Sequence, residues 1–153
     1  MPWVEKALSA YGDKIMLPLD HIISSSPRGD TPVSIVKGNI PDKMTGFDIG
    51  NETVQEYTNE LAGTRSGTVF WNGTMGLFEI GPFSNGTVSI AKIIALAFWG
   101  GSKTLVGGGN TISALKKAEV SENEVTHVST GGGATLRYLA GDEMPGIEVL
   151  QGK

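Results

Sequence analysis

Cysteine is missing from the 153 residues, so the chain builds no disulfide framework and no thiolate metal site. That composition suits a reducing compartment, and the expectation is a soluble, cytoplasmic protein. Only two histidines are present, His21 and His127, too far apart in sequence to suggest a cluster, and both read as structural. Charged residues make up 18%, with a formal net charge of −4 and a pI near 5.1, which argues against nucleic acid or an acidic membrane surface as a partner. Long hydrophobic runs are lacking too: the apolar stretch from Ile93 to Trp99 is far too short to span a bilayer. No basic segment followed by an apolar core opens the chain, so no secretory signal is expected. Aromatics are scarce at 7%, which fits a loop-rich α/β protein better than a helical bundle.

Glycine is what the chain has in abundance, 22 in all. Two triplets organise it, Gly107-Gly108-Gly109 before Asn110 and Gly131-Gly132-Gly133 before Ala134, each between an apolar run and an amphipathic run. Their starts lie 24 residues apart (131 − 107), about one strand, one helix and two short loops. With that offset Thr111 falls on Thr135 and Leu115 on Leu139. Successive glycines free the backbone for positive φ and remove side chains that keep a ligand away. A helix starting there turns its unpaired N–H groups and positive dipole end into the same space, a setting for phosphate. The bland alternative is that such turns only let a helix pack closely on a sheet. Neither triplet fits a dinucleotide or Walker pattern.

Along the chain, Val4, Ala7, Leu8 and Tyr11 mark one helical face, closed by Gly12, and residues 15–23 read as a buried strand interrupted by Pro18. A polar loop over 24–32 precedes a short strand at 33–36, and a turn-laden connection leads to Phe47-Asp48-Ile49-Gly50. Asn51 is the expected N-cap of a helix ended by Gly63, with Val54, Tyr57 and Leu61 inward. Then follow a strand at 68–71, a helix at 85–98 with Ile90, Ile93, Ile94 and Ala97 as its buried stripe, a strand at 103–106, a helix from Asn110 to about Ala118, an acidic loop at 119–124, a strand at 126–129, and a helix to Ala140. The residues beyond Gly141 read as a short tail. From residue 68 the order is βαβαβα, which predicts an α/β fold with a Rossmann-like, three-layer parallel sheet; ligands of such sheets sit at the carboxyl ends of the strands.

Asp48-Ile49-Gly50, Trp71-Asn72-Gly73-Thr74-Met75-Gly76-Leu77-Phe78-Glu79, Gly107 to Thr111, Ser129-Thr130-Gly131-Gly132-Gly133-Ala134 and Pro145-Gly146 together resemble phosphoglycerate kinase in order and spacing. The resemblance runs from about residue 3 to the end. It implies that residues 1–153 are part of that family's C-terminal nucleotide-binding domain, with the sheet truncated at its N-terminal side and the N-terminal domain absent. The implied activity is reversible phosphoryl transfer between 1,3-bisphosphoglycerate and ADP, giving 3-phosphoglycerate and ATP in glycolysis, with the fragment alone inactive. Full-length family proteins are usually monomeric, and the implied cofactor is Mg²⁺ with ADP or ATP.

Residue by residue, the resemblance implies that Gly46, Phe47 and Leu77 border the adenine and that Glu79 hydrogen-bonds the ribose. Asn72 would reach toward ribose and phosphates, Gly108, Gly109, Asn110 and Thr111 would hold the phosphates, and Gly131, Gly132 and Gly133 would donate N–H groups to the transferring phosphoryl. Two departures stand out. Asn110 occupies a position where the family usually has Asp, and a neutral oxygen is a poorer partner for Mg²⁺. Thr74 replaces a usual Pro and loosens a turn. A non-catalytic nucleotide- or anion-binding module is the alternative reading.

The remaining candidates read blandly. Asp20 and His21 form no dyad, since neighbours in a strand face opposite ways. Lys116 and Lys117 sit toward a helix C-terminus, where they complement the dipole and are expected to stay in solvent. Trp71 and Trp99 are expected to be core or edge packing.

Overall fold

Apolar side chains and paired backbone decide which runs become strands. In the computed structural model, which describes residues 2–64 and 66–152, β1 covers Asp20–Ser24 rather than the whole of 15–23. Pro18 lacks an N–H, and the pairing with neighbouring strands begins only after it. β1 is the centre of an antiparallel sheet, between β2 (Ser34–Lys37) and β3 (Thr45–Ile49), with a register shift between Ile22 and Ile23. This sheet was not distinguished in the sequence pattern, which carries no two-residue hairpin signature between its strands.

The expected α/β unit follows. β4 (Thr68–Asn72), β5 (Lys103–Gly107) and β6 (His127–Ser129) form a parallel sheet in that order. The helices are α1 (Pro2–Tyr11), α2 (Asn51–Gly63), α3 (Asn85–Trp99), α4 (Gly109–Lys117), α5 (Gly133–Leu139) and α6 (Pro145–Leu150). α3 connects β4 to β5, and α4 connects β5 to β6. The supposed tail thus contains α6, where Pro145 sits in the first turn, a position that needs no N–H donor. No helix among the described residues is long and apolar enough to cross a membrane.

The core joins the parallel sheet to α3 and α4 through Val69, Trp71, Val106, Ile90, Ile94 and Leu115. On α3 the buried set is Thr87, Ile90, Ala91, Ile94 and Ala95. The stripe is therefore rotated from the expected one, leaving Ile93 and Ala97 half-buried. α1 has its predicted apolar face but buries none of it, with Trp3 78% exposed.

Asn51 does not cap α2. Gly50 holds the N-cap position without a side chain, and the missing acceptor comes from a different strand: the Asp20 carboxylate takes the N–H groups of Thr53 (2.8 Å) and Glu52 (3.2 Å) and the Thr53 hydroxyl (2.6 Å). A Cβ on Gly50 would overlap that carboxylate. Burial pushes the Asp20 carboxyl up, but the hydrogen bonds from Thr53 and Glu52, aided by Lys37, outweigh it and hold the group below its ordinary value.

Candidate functional site

Parallel register lines up the carboxyl ends of three strands: Asn72 lies opposite Gly107, and Gly107 opposite Ser129. Both glycine triplets leave the sheet along this edge. Gly108, at φ +92°, caps α4, and Gly132, at φ +51°, caps α5, so the 24-residue offset survives in three dimensions (132 − 108). A side chain at either position would be strained by its backbone alone. A Cβ on Gly107 would come within 3.2 Å of Asn72 Nδ2, and one on Gly108 within 3.6 Å of the same atom. The Asn72 amide therefore lies against the first triplet. At the second, Ser129 and Thr135 share a hydroxyl hydrogen bond of 2.6 Å, and a Cβ on Gly131 would crowd Thr135 Oγ1 at 2.6 Å.

How each helix begins divides the molecule. α2 starts on the Asp20 carboxylate. α3 starts on Asp48, whose carboxylate accepts the N–H groups of Gly86 (2.7 Å) and Ile49 (2.9 Å). Burial, at 4% exposure, pushes the Asp48 carboxyl up to about 6 although those two N–H groups pull it down. α4 and α5 begin instead on glycine, which has no side chain to accept anything. At α4 the amides of Gly109 and Asn110 are left for something outside the chain. At α5, by contrast, Gly131 N donates to Ser129 Oγ (3.3 Å) and the amides of Ala134 and Thr135 to the carbonyls of Gly131 and Gly132 (3.0 and 3.2 Å), so Gly131, expected to offer its N–H to a ligand, does not.

Residues 73–80 bridge this edge to the antiparallel sheet and are fastened along their length. Gly73 N donates to Thr111 Oγ1 (2.8 Å), Met75 N and Gly76 N to Thr87 Oγ1 (3.0 and 3.3 Å), and Leu77 N to the Phe47 carbonyl (2.8 Å). At the far end Lys117 Nζ donates to the carbonyls of Phe78 (2.6 Å) and Glu79 (3.5 Å). Lys117 is exposed, as expected, yet its ammonium is also tied to backbone carbonyls by charge-assisted bonds that the sequence did not suggest. An open cleft of about 460 Å³ lies between this segment and β3, lined by Gly46, Phe47 and Leu77 together with His21, Ile40 and Met75. Phe47 packs on Phe83 with ring centroids 4.8 Å apart, which fixes one wall.

The predicted site residues fall into three groups. Gly46, Phe47 and Leu77 share the cleft. Asn72, Gly108, Gly109 and Asn110 cluster at the start of α4, where Gly109 and Asn110 are exposed, while Glu79 is exposed at the end of the fastened segment. Gly131, Gly132 and Gly133 lie on the neighbouring turn. Thr111 is different, since it is 1% exposed and its hydroxyl is taken by Gly73. Among the described residues no three His, Cys, Asp or Glu side chains gather to hold a metal, and Asn110 offers one neutral oxygen. The donor set suits phosphate oxygens and does not fit a protein-held Mg²⁺.

A family model described as phosphoglycerate kinase matches residues 2–142. The chain belongs to the phosphoglycerate kinase family. It is 43% identical over 136 residues to the phosphoglycerate kinase of Salinibacter ruber, covering 89% of this chain and 33% of that protein. With the phosphoglycerate kinase of Chlorobium limicola it shares 46% identity over 138 residues, covering 90% and 34%. The solved phosphoglycerate kinase of Coxiella burnetii superposes with a TM-score of 0.83 at 30% identity, covering 97% of this chain and 39% of that one. That of Pyrococcus horikoshii gives 0.79 at 28%, covering 98% and 36%. The chain thus spans about a third of the length of these relatives.

Sequence reasoning found no partner for four residues that fasten the elements around this edge: Asp20, Asp48, Thr87 and Lys117. Asp48 lay inside a quoted motif without a role, and the other three meet partners 11 to 39 positions away. One signal was available for Asp48: an acidic residue ending an apolar strand needs a donor, and Gly86 at a helix start is a natural one.

Proposed function

We infer that this chain is the nucleotide side of a phosphoglycerate kinase, holding ADP or ATP while a phosphoryl group passes between the nucleotide and 1,3-bisphosphoglycerate. In the forward direction the acyl-phosphate P–O bond of the bisphosphoglycerate breaks and a β-phosphate oxygen of ADP forms the new one, leaving 3-phosphoglycerate and ATP. The phosphoglycerate would be held by the portion of the longer relatives that this chain does not match, so the chain alone is expected not to turn over.

The observation that carries the reading is the difference between helix starts: carboxylates close α2 and α3, whereas a glycine cap leaves the first amides of α4 open on one sheet edge, with α5 beginning beside it. In this reading the amides at Gly109 and Asn110 and the Asn72 side chain hold nucleotide phosphates. Gly132 and Gly133 aim N–H groups at the phosphoryl in transit, where donors directed at the equatorial oxygens lower the barrier, while Gly131 shapes the turn with its own N–H on Ser129 Oγ. Gly46, Phe47 and Leu77 form the adenine slot, and Glu79 takes the ribose hydroxyls. Thr111 contributes by tying residue 73 to α4 rather than by meeting the ligand. Mg²⁺, which neutralises charge on the transferring phosphates when present, would arrive with the nucleotide.

ADP titration by calorimetry tests this, with Gly108→Ala as the disabling variant. Saturable binding that weakens at least about tenfold in Gly108→Ala is expected. Failure to bind at millimolar ADP, or binding indifferent to that substitution, would refute it. A second reading, a non-catalytic nucleotide-binding module, draws on Asn110. It is separated by repeating the titration with and without Mg²⁺: a working kinase site gains affinity with the metal, and a relic gains it only in Asn110→Asp.

A further inference from the structure

The cleft between β3 and the fastened segment is walled mostly by groups that are apolar or already engaged. Pro18, Ile40, Phe47, Ile49, Met75 and Leu77 line it without a hydrogen-bonding side-chain atom. Asp48 borders it as well, but its carboxylate is occupied by the amides of Gly86 and Ile49, and the Phe47 carbonyl is occupied by Leu77 N. Two polar side chains remain in the lining, His21 and Thr74. Among the described residues neither side chain has a hydrogen bond or an ion pair within the chain.

The two stand on opposite walls. His21 follows Asp20 in β1, and neighbours in a strand face opposite ways, so it points away from the α2 start that Asp20 closes and shares a face with its register partner Ile49. A Cβ on Gly46 would come within 4.0 Å of the His21 Cβ and 2.9 Å of Ile40 Cδ1, so glycine at 46 keeps the space beside both open. Thr74 lies in the fastened segment, between Gly73 N on Thr111 Oγ1 (2.8 Å) and Met75 N on Thr87 Oγ1 (3.0 Å). Each group is therefore carried by backbone that is already fixed, one by the central strand of a sheet and the other by bonds on both sides. Groups ordered before contact lose little entropy on binding.

We propose, on the reading of Gly46, Phe47 and Leu77 as the base slot, that His21 and Thr74 are the residues that read the polar edge of the nucleobase. A purine is apolar on its faces and polar around its rim. The faces suit Phe47, Leu77 and Ile40, whereas the ring nitrogens and the amino group lose water on entry and need partners. A neutral imidazole offers one donor and one acceptor, and a hydroxyl can do either, so the pair can answer both kinds of rim atom. Both residues are half-buried, where fewer waters compete for such bonds. A few placed polar groups in an apolar slot fix the orientation of what enters it, which apolar contact alone does not. The base is thereby selected in the cleft, apart from the α4 amides that take the phosphates. His21 gains a role beyond the structural one expected from sequence.

Calorimetric titration of the whole chain with ADP and, separately, with inorganic pyrophosphate tests the proposal. Pyrophosphate carries the phosphates without the base and so reports on the start of α4 alone. ADP affinity should fall about five- to tenfold in His21→Leu and in Thr74→Val, each of which removes the hydrogen-bonding atoms at similar volume, while pyrophosphate affinity stays at the wild-type value. His21→Gln, which still donates and accepts, should keep most of the ADP affinity. ADP binding that stays within about twofold of wild type in both His21→Leu and Thr74→Val overturns the proposal and leaves the nucleotide reading intact. A loss shared equally by ADP and pyrophosphate overturns it too, because that marks a change in the fold rather than a lost contact with the base. A wild-type chain that binds pyrophosphate but not ADP, or neither, overturns the proposal together with the reading on which it rests.

Discussion

Asp48 offers a measurement in which two physical effects compete with opposite signs. Burial raises the energy of the ionised carboxylate, while the amides of Gly86 and Ile49 at the start of α3 favour it. The balance places the folded-state value at about 6 against an ordinary 3.8. A raised carboxyl value means that the folded state binds its proton more tightly than the unfolded state. Stability from this group is therefore present below about pH 4 and is lost as pH rises through about 6. At about 1.36 kcal/mol per unit the shift corresponds to about 3 kcal/mol, which solvent relaxation reduces to about 1–2 kcal/mol.

Urea unfolding of the wild type and of Asp48→Asn at steps from pH 4 to pH 7.5 isolates this effect, because all other titrations cancel in the difference. Asparagine must present an NH₂ to one of the two amides and costs about 1–3 kcal/mol at every pH. The wild type's advantage should be greatest near pH 4 and shrink by about 1–2 kcal/mol toward pH 7. A flat difference, or one that grows with pH, would show that the amides prevail over burial and refute the reasoning.

Asp20→Asn should behave in the opposite sense: its folded value is depressed, so the wild type's advantage is full above the ordinary carboxyl range and fades as pH falls below about 4, in the same unfolding series. Gly50→Ala drives a Cβ into the Asp20 carboxylate and should lower unfolding free energy by about 2–4 kcal/mol, read from denaturant midpoints. Thr111→Val keeps the shape but strands the Gly73 amide, costing about 1–3 kcal/mol and raising hydrogen exchange at residues 73–76. Lys117→Met releases the carbonyls of Phe78 and Glu79; a loss of about 0.5–1.5 kcal/mol is expected in stability, with ADP affinity falling several-fold if Glu79 serves the ribose.

Local pattern made much of this molecule legible. α2, α3 and the three parallel strands follow apolar periodicity and glycine stops, and the two triplets keep their spacing as successive helix caps. What escaped depends on partners distant in sequence. Nothing local pairs His21 with Val36 on one side and with Ile49 on the other, so the antiparallel sheet was not visible. Asp20, correctly set aside as half of a dyad, was left without a role because its partners, Glu52 and Thr53, lie more than 30 residues on. On α3 the period is clear but its phase is not: Ile93 and Ala97 are apolar yet border a groove, while Thr87 is polar and fully buried because its hydroxyl accepts two amides. The residues beyond Gly141 read as a tail although Pro145, in a first turn, starts a helix there.

The helix starts connect fold to chemistry. An uncapped helix N-terminus attracts negative charge wherever it lies, so a domain with several must close those it does not use. Here closure is assigned to Asp20 and Asp48, each delivered from a strand of the antiparallel sheet to a helix outside it. Glycines stand where each carboxylate docks: a Cβ on Gly50 would overlap Asp20, and one on Gly86 would overlap Asp48. The same residue type thus serves two ends. At 50 and 86 it lets the protein's own carboxylate in, and at 108 it bends the chain to leave the first amides of α4 bare. Adding a carboxylate at the bare edge should then mimic an anion rather than merely perturb the loop. Asn110→Asp places one within the first turn of α4, and with no metal present it should weaken ADP binding through repulsion while stabilising α4 by about 0.3–1 kcal/mol. The sign of those two changes, opposite to each other, is the consequence that distinguishes an anion site from a packing turn.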